Sequence, residues 1–312
     1  MGFNSEFRSP TRWYSKLAIA FLAVAFFAIL AASAVSGYLL SRILRPIAHA
    51  QGTLADLPGH PERMSYQDPI KGPRTAWFFP GLKSAPSVVL SSGYRWSGGE
   101  LLTLASALQD HQYNVLVVDF LADGTERVRT TLGFEEVAEL RAAMDALARR
   151  GDVDAERFGL WGVDLGAYVA LAVGTTDRRV QAIVLESVYD HPRQLLQLLL
   201  KEAGAGSLPL IGRITTLGFR WLQYSYRDVP PLAQGLDALG GTPQQYLESP
   251  ETPELSATTR EIFRLSPPPH ELVHLPRGNY AGMSDEEKRR YENRVVSFFL
   301  INLPIEAPAA RR

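Results

Sequence analysis

The chain has no cysteine. Disulfides, thiolate nucleophiles and cysteine-bound metals are therefore excluded, and any redox compartment suits it. Histidine is scarce: His49, His60, His111, His191, His270 and His274 are scattered along the chain, and no zinc site and no cofactor is expected. Charge of one sign is also missing. The 32 basic and 33 acidic residues are interspersed and leave a formal net charge of −1. Without a basic face or stripe, no nucleic-acid partner is expected. Repeats and low-complexity tracts are absent. What remains is a chain of 312 residues, 46% of them hydrophobic, long enough to bury a full-sized core as one large domain or two small ones.

The first feature present is a long run without charge. Leu17 to Leu40 reads LAIAFLAVAFFAILAASAVSGYLL, enough to cross a hydrocarbon core of roughly 30 Å. A cleaved signal peptide is the alternative, with Ala32-Ser33-Ala34 at the cleavage position. The run continues past that point to Leu40, and Arg42 and Arg45 then close it, which favours an uncleaved anchor behind a flank of residues 1–16. Flanking cations are nearly balanced: Arg8, Arg12 and Lys16 before, Arg42, Arg45 and Arg63 after. The positive-inside bias leans towards a cytoplasmic N-terminus and a main domain on the non-cytoplasmic side of a single-pass membrane protein. Residues 41–74 read as linker, with room for a first strand near the domain edge.

From about Thr75 to Leu303 short apolar runs alternate with amphipathic segments. Strands are expected at Ser87–Leu90, Asn114–Phe120, Arg157–Gly162, Val180–Glu186, Gln244–Leu247 and Glu271–Leu275. Helices are expected at Gly99–Gln109, Phe134–Arg149, Ala167–Val173, Thr258–Leu265 and Asp285–Leu300, the last with Tyr291, Val295, Phe298 and Phe299 facing the core. Apolar strands between amphipathic helices indicate an α/β fold with a mostly parallel sheet covered on both faces. Residues 191–237 carry bulky helical runs and no strand signal, as an inserted helical cap would. Residues 304–312 read as a disordered tail.

After the third expected strand comes Gly162-Val163-Asp164-Leu165-Gly166, in the outline of a nucleophile elbow but with a carboxylate at its centre. With it stand Val88-Val89-Leu90-Ser91-Ser92-Gly93-Tyr94, Val117-Val118-Asp119-Phe120 followed by Ala122-Asp123-Gly124, and the lead-in Asp152–Phe158. Together these resemble the α/β-hydrolase superfamily over Thr75–Leu303, most closely serine hydrolases of bacterial membrane-associated type. A shared fold does not fix a function.

The resemblance implies roles and exposes departures. Asp164 takes the nucleophile position between the elbow glycines Gly162 and Gly166. Dehalogenases and epoxide hydrolases of this superfamily carry aspartate there and form an ester on it. Tyr280, or Asn279 with a gap, takes the position of the histidine. Tyrosine, with a pKa of about 10, is a poor base at neutral pH and asparagine is none. His274 lies in a strand, where it is expected to be structural, and His270 lies at the strand's wrong end. The triad acid falls on Thr252 or, shifted by one, Glu251. Ser92-Gly93 replaces the family's His-Gly, yet the backbone N–H groups of Tyr94 and Leu165 still suit an oxyanion hole.

Two functions follow as expectations. One is a membrane-anchored pseudohydrolase that binds a small molecule, lipid or protein in the former substrate cleft. The other is a hydrolase using Asp164 on an ester, epoxide or alkyl halide. A relocated nucleophile at Ser92 or Ser187 is a third, weaker idea. Arg213, Arg220 and Trp221 in the cap suit either lipid headgroups or an ordinary amphipathic helix.

Overall fold

The computed structural model describes residues 11–49, 61–122, 128–278, 280 and 283–306. β1 (Glu62–Asp68) and β2 (Gly72–Phe79) form an antiparallel hairpin, and β2 pairs antiparallel with β4 (Asn114–Val118). β3 (Ser87–Ser91), β5 (Phe158–Val163), β6 (Val180–Glu186), β7 (Gln244–Glu248) and β8 (His270–His274) continue the sheet, all parallel to β4. The spatial order is β1-β2-β4-β3-β5-β6-β7-β8. β3, β4 and β5 are buried at every position, which explains their nearly continuous apolar sequence: neither face meets water.

Helices cover both faces. α2 (Leu102–Asp110) and α8 (Asp285–Asn302) close one core, with Tyr291, Val295, Phe298 and Phe299 buried there as expected. α3 (Phe134–Ala148), α4 (Leu165–Gly174) and α7 (Pro253–Leu265) close the other. The inserted region contains α5 (Pro192–Glu202) and α6 (Pro209–Leu222), followed by short 3-10 turns up to Leu239. Expected boundaries shift by three residues or fewer at most elements, α2 starting at Leu102 after a 3-10 turn. The exception is α7, which starts at Pro253, the first-turn position that tolerates proline.

The linker expectation needs correction. Residues 62–74 are β1 and the start of β2, not a tether. β1 is an edge strand whose sequence, ERMSYQD, hides its role because only Met64, Tyr66 and Asp68 turn inward. Buried charge fastens this hairpin to α3. Glu139 accepts from the Tyr66 hydroxyl at 3.0 Å, from Arg74 Nε at 2.9 Å and from Lys71 Nζ at 2.8 Å.

Residues 43–49 are not free either. α1 (Thr11–Leu44) outlasts the expected run, and Ala32, Ser36, Leu40, Ile43 and Leu44 are buried along one face of it. That spacing is helical, so the last third of α1 docks while the preceding part stands clear. Ser36 Oγ donates to the Ile211 carbonyl at 3.2 Å on α6, and the Thr130 N–H donates to the Leu44 carbonyl at 3.0 Å.

Candidate active site

The site is assembled at the carboxyl ends of the parallel strands, where α/β sheets place ligands. β5 ends in Val163 and α4 starts at Leu165, so Asp164 alone makes the turn, at φ 39° and ψ −100°. Such a turn needs close backbone approach on both sides. A Cβ on Gly162 would stand 2.3 Å from the Gly166 backbone, and one on Gly166 would stand 2.2 Å from the Ser91 carbonyl oxygen. The elbow glycines are thus required by packing.

The side chain of Asp164 decides what the turn can do. It is only 4% exposed. Its Oδ1 accepts from the Tyr94 N–H at 2.5 Å and from the Leu165 N–H. These are the two donors expected to form an oxyanion hole, and the aspartate occupies them itself. Gly93 makes this possible, since a Cβ there would lie 2.8 Å from Oδ1. Burial raises the Asp164 pKa, outweighing the two N–H bonds and the positive charges of Arg95 and His49, which pull it down.

The remaining sequence candidates scatter. Tyr280 does not reach Asp164. Its hydroxyl bonds Thr103 at 2.6 Å and donates to Glu292, and its ring packs against Trp96 and Tyr291. Burial, then the Glu292 bond, raises its pKa further, which removes it as a base. Among the described residues of that loop, Gly278 lines the cleft. Asn279 lies outside the described residues. Glu251 and Thr252 do line the cleft, with Thr252 Oγ1 3.2 Å from Ser187 Oγ. Ser92 is buried and donates to Asp119 at 3.0 Å, so it is a scaffold residue.

No described histidine hydrogen-bonds Asp164. His111 meets the Ala107 carbonyl and His191 caps α5. His274 pairs with Glu248 at 2.8 Å, and His270 lies against Phe263 at the start of β8. His270 to His274 does spell HELVH, the H-E-x-x-H spacing, so these two are less unrelated than their scatter suggests. On a helix that spacing brings both rings to one metal. Here it lies on a strand, which spreads positions four apart by about 13 Å at ~3.3 Å per residue. Among the described residues no cluster of three potential ligands forms.

Sequence reasoning missed two elements. Glu186 ends β6, is 1% exposed and lines the cleft with Asp164 and Glu251. Its Oε2 accepts from the Tyr291 hydroxyl at 2.6 Å. Burial, with the charges of Asp164 and Glu251, pushes its pKa up to about 8 against the opposing Tyr291 bond. A lone carboxylate ending an apolar strand, VQAIVLE, was the available signal. The second is His49, whose Nδ1 lies 2.9 Å from Asp119. Burial opposes its charge, but the bond to Asp119 prevails and the pKa is raised. Asp119 also accepts from Gly98 and Leu121 N–H groups at 2.6 and 3.0 Å. Nothing in the sequence pairs residues 49 and 119.

The cleft so formed is about 320 Å³, lined by Asp164, Glu186, Glu251, Glu100, Arg95 and Trp96 among others. It is small, polar and richer in carboxyls than in cations.

Comparison with known proteins agrees with this architecture. The model of the alpha/beta hydrolase family matches residues 78–297. No curated protein matches the chain in sequence. Among solved structures, the Pyrococcus furiosus esterase Pf2001 is similar at 18% identity and a TM-score of 0.64, over 83% of this chain and 97% of that one. The alpha/beta hydrolase GrgF from Penicillium sp. is similar at 16% identity and a TM-score of 0.55, over 78% of this chain and 99% of the other. A dienelactone hydrolase from Anabaena variabilis gives 14% and 0.55 over the same shares. At such identities the likeness is one of fold. With a family model spanning most of its length, an elbow between two obligatory glycines and a mostly parallel sheet beneath them, the chain belongs to the alpha/beta hydrolase family.

Proposed function

We propose that the protein is a membrane-anchored member of this family that has lost serine-hydrolase chemistry and uses the former substrate cleft for binding. One observation carries the reading: the Asp164 carboxylate sits on the Tyr94 and Leu165 N–H groups. An incoming acyl oxygen meets a filled hole and a negative neighbour instead of two free donors. No imidazole among the described residues bonds Asp164, so proton transfer in the usual way has no agent. The cleft's size and carboxyl groups suit a small polar ligand rich in hydrogen-bond donors or bearing positive charge. α1 is the anchor, and the domain lies on the non-cytoplasmic side.

The test uses the full chain in detergent. It is expected to turn over neither short nor medium acyl esters above background, and to resist a fluorophosphonate probe. Ester turnover abolished by Asp164→Ala would overturn the reading.

Glu186 favours a second reading. It is a proton-exchanging group in the same cleft as the aspartate. In an Asp164 hydrolase, the carboxylate displaces halide, or opens an epoxide whose released oxygen takes a proton from solvent, to give an ester. Water then attacks that ester as ionised Glu186 takes its proton. Intact-mass spectrometry of Glu186→Gln after exposure to such substrates would show the trapped ester. An unmodified mass across them rejects this alternative.

A further inference from the structure

α6 turns the wrong face outward for a helix in water. Thr215 and Phe219 are buried, whereas Leu210, Leu217 and Trp221 are exposed, Leu217 at 61% and Trp221 at 78%. Positions 210, 213, 217, 220 and 221 recur at helical spacing, so one stripe carries these three large apolar side chains beside Arg213 and Arg220. Among the described residues neither arginine has an ion-pair partner, although eighteen such contacts occur elsewhere. Apolar side chains with aromatic and basic residues on one exposed helical face are the composition of a helix lying in a bilayer boundary.

The position of α6 says what covers it. It packs against α1 through the Ser36–Ile211 bond and through Gly218, where a Cβ would stand 3.2 Å from Leu40. From Trp13 to Ala31, 19 residues, no side chain of α1 is buried. The uncharged run starts after Lys16, and ~30 Å of hydrocarbon counted from Leu17 at ~1.5 Å per residue ends near Ser36. Ser36 and Leu40, which meet α6, therefore lie where the hydrocarbon ends, and α6 beside them falls at headgroup level. Between α6 and the end of α5 lies a groove of about 990 Å³, lined by Leu200, Leu208, Leu217, Arg213 and Arg220 among others.

We propose that α6 is an interfacial helix whose outward stripe beds into the bilayer beside α1, and that the adjoining groove holds an anionic phospholipid through Arg213 and Arg220. This rests on α1 spanning the membrane. The cap would then be immersed in the surface and not merely tethered above it.

The absence of cysteine makes the test direct. Single-cysteine variants Leu22→Cys on α1 and Leu217→Cys on α6, both at exposed positions, carry an environment-sensitive fluorophore in the full chain. The chain is reconstituted into phosphatidylcholine vesicles with or without phosphatidylglycerol, and spin-labelled lipids of either headgroup act as quenchers. Both sites should be quenched, Leu217→Cys most by shallow labels. Labelled phosphatidylglycerol should quench it as though enriched roughly tenfold over phosphatidylcholine, and Arg213→Glu with Arg220→Glu should abolish that preference. Quenching at residue 22 without quenching at 217 overturns the inference and leaves the anchor standing. Quenching at neither site removes both. Equal quenching by the two headgroups overturns the phospholipid site.

Discussion

Glu186 makes the most quantitative test of the site. Its carboxyl has a pKa of about 8 in the folded protein against an ordinary value of 4.5. Between those limits the folded chain holds a proton that the unfolded chain has released. Stability therefore falls as pH rises, by about 1.4 kcal/mol per pH unit. The contribution is whole below 4.5 and lost as pH passes through 8. Across that window the loss is about 5 kcal/mol. Glu186→Gln abolishes this titration while its amide oxygen still accepts from the Tyr291 hydroxyl, now 2.6 Å from Oε2. Asp164 and His49, whose raised pKa values give the same sign, remain in both proteins and drop out of the comparison, apart from the Asp164 charge that helps raise Glu186. Urea unfolding of the full chain in detergent, followed by tryptophan fluorescence at several pH values from 5 to 9, measures the difference. The variant should gain on the wild type steadily and then level off above pH 8. Parallel curves would show that Glu186 is ionised in the folded state, and the account of a carboxyl-rich, desolvated cleft would fail.

Other consequences are simpler. Glu139→Ala leaves Lys71 and Arg74 without their shared carboxylate and should cost about 3–5 kcal/mol in urea unfolding; a loss below about 1 kcal/mol would refute the buried network as the hairpin's fastening. Gly166→Ala drives a methyl to 2.2 Å from the Ser91 carbonyl oxygen. It should leave no folded protein in a protease-resistance assay, and a stable variant would contradict the elbow geometry. Deleting residues 1–31 should leave the melting temperature of the domain near that of the full chain. Deleting 1–49 also strips Leu40, Ile43 and Leu44 from the core, about 5–9 kcal/mol at ~1.5–3 kcal/mol each, and equal melting of the two truncations would refute the docking of α1.

Legibility in the sequence followed burial. β3, β4 and β5 are covered on both faces, so their composition alone betrays them, and the elbow between Gly162 and Gly166 is visible because sterics leave no other residue. β1 was harder, since an edge strand alternates and its outward residues read as linker. At the site, what could be read was what one segment fixes by itself: Asp164, and the backbone donors Tyr94 and Leu165. What could not be read depends on segments meeting. Tyr280 sits in the aligned loop, yet Thr103 and Glu292 hold its hydroxyl elsewhere. His49 meets Asp119 across seventy positions, and no local pattern encodes that pairing. The spacing HELVH shows the same limit from the other side: a motif is only as good as the secondary structure under it, and β8 is a strand.

Tyr94 joins α1 to the candidate site. Its hydroxyl donates to the Ile43 carbonyl at the end of α1, at 2.9 Å, and its N–H donates to Asp164. His49, just past that helix, holds Asp119, which in turn fixes Ser92 and the loop carrying Gly93 and Tyr94. A domain on a free tether would have a site indifferent to α1. Here the last turn of α1 and the segment after it form part of the scaffold that aims the oxyanion donors, so the donor carried by Tyr94 cannot swing away from Asp164 without breaking contacts to α1. Freeing the hole for a substrate oxygen would mean moving the carboxylate, and the elbow glycines and Gly93 leave it no room to retreat deeper. The way out for the carboxylate is into the cleft, where it would give up both backbone N–H bonds. The closed state of the hole is thus held by the contacts to α1 and by the crowding at the glycines, and this geometry supports the proposed binding role.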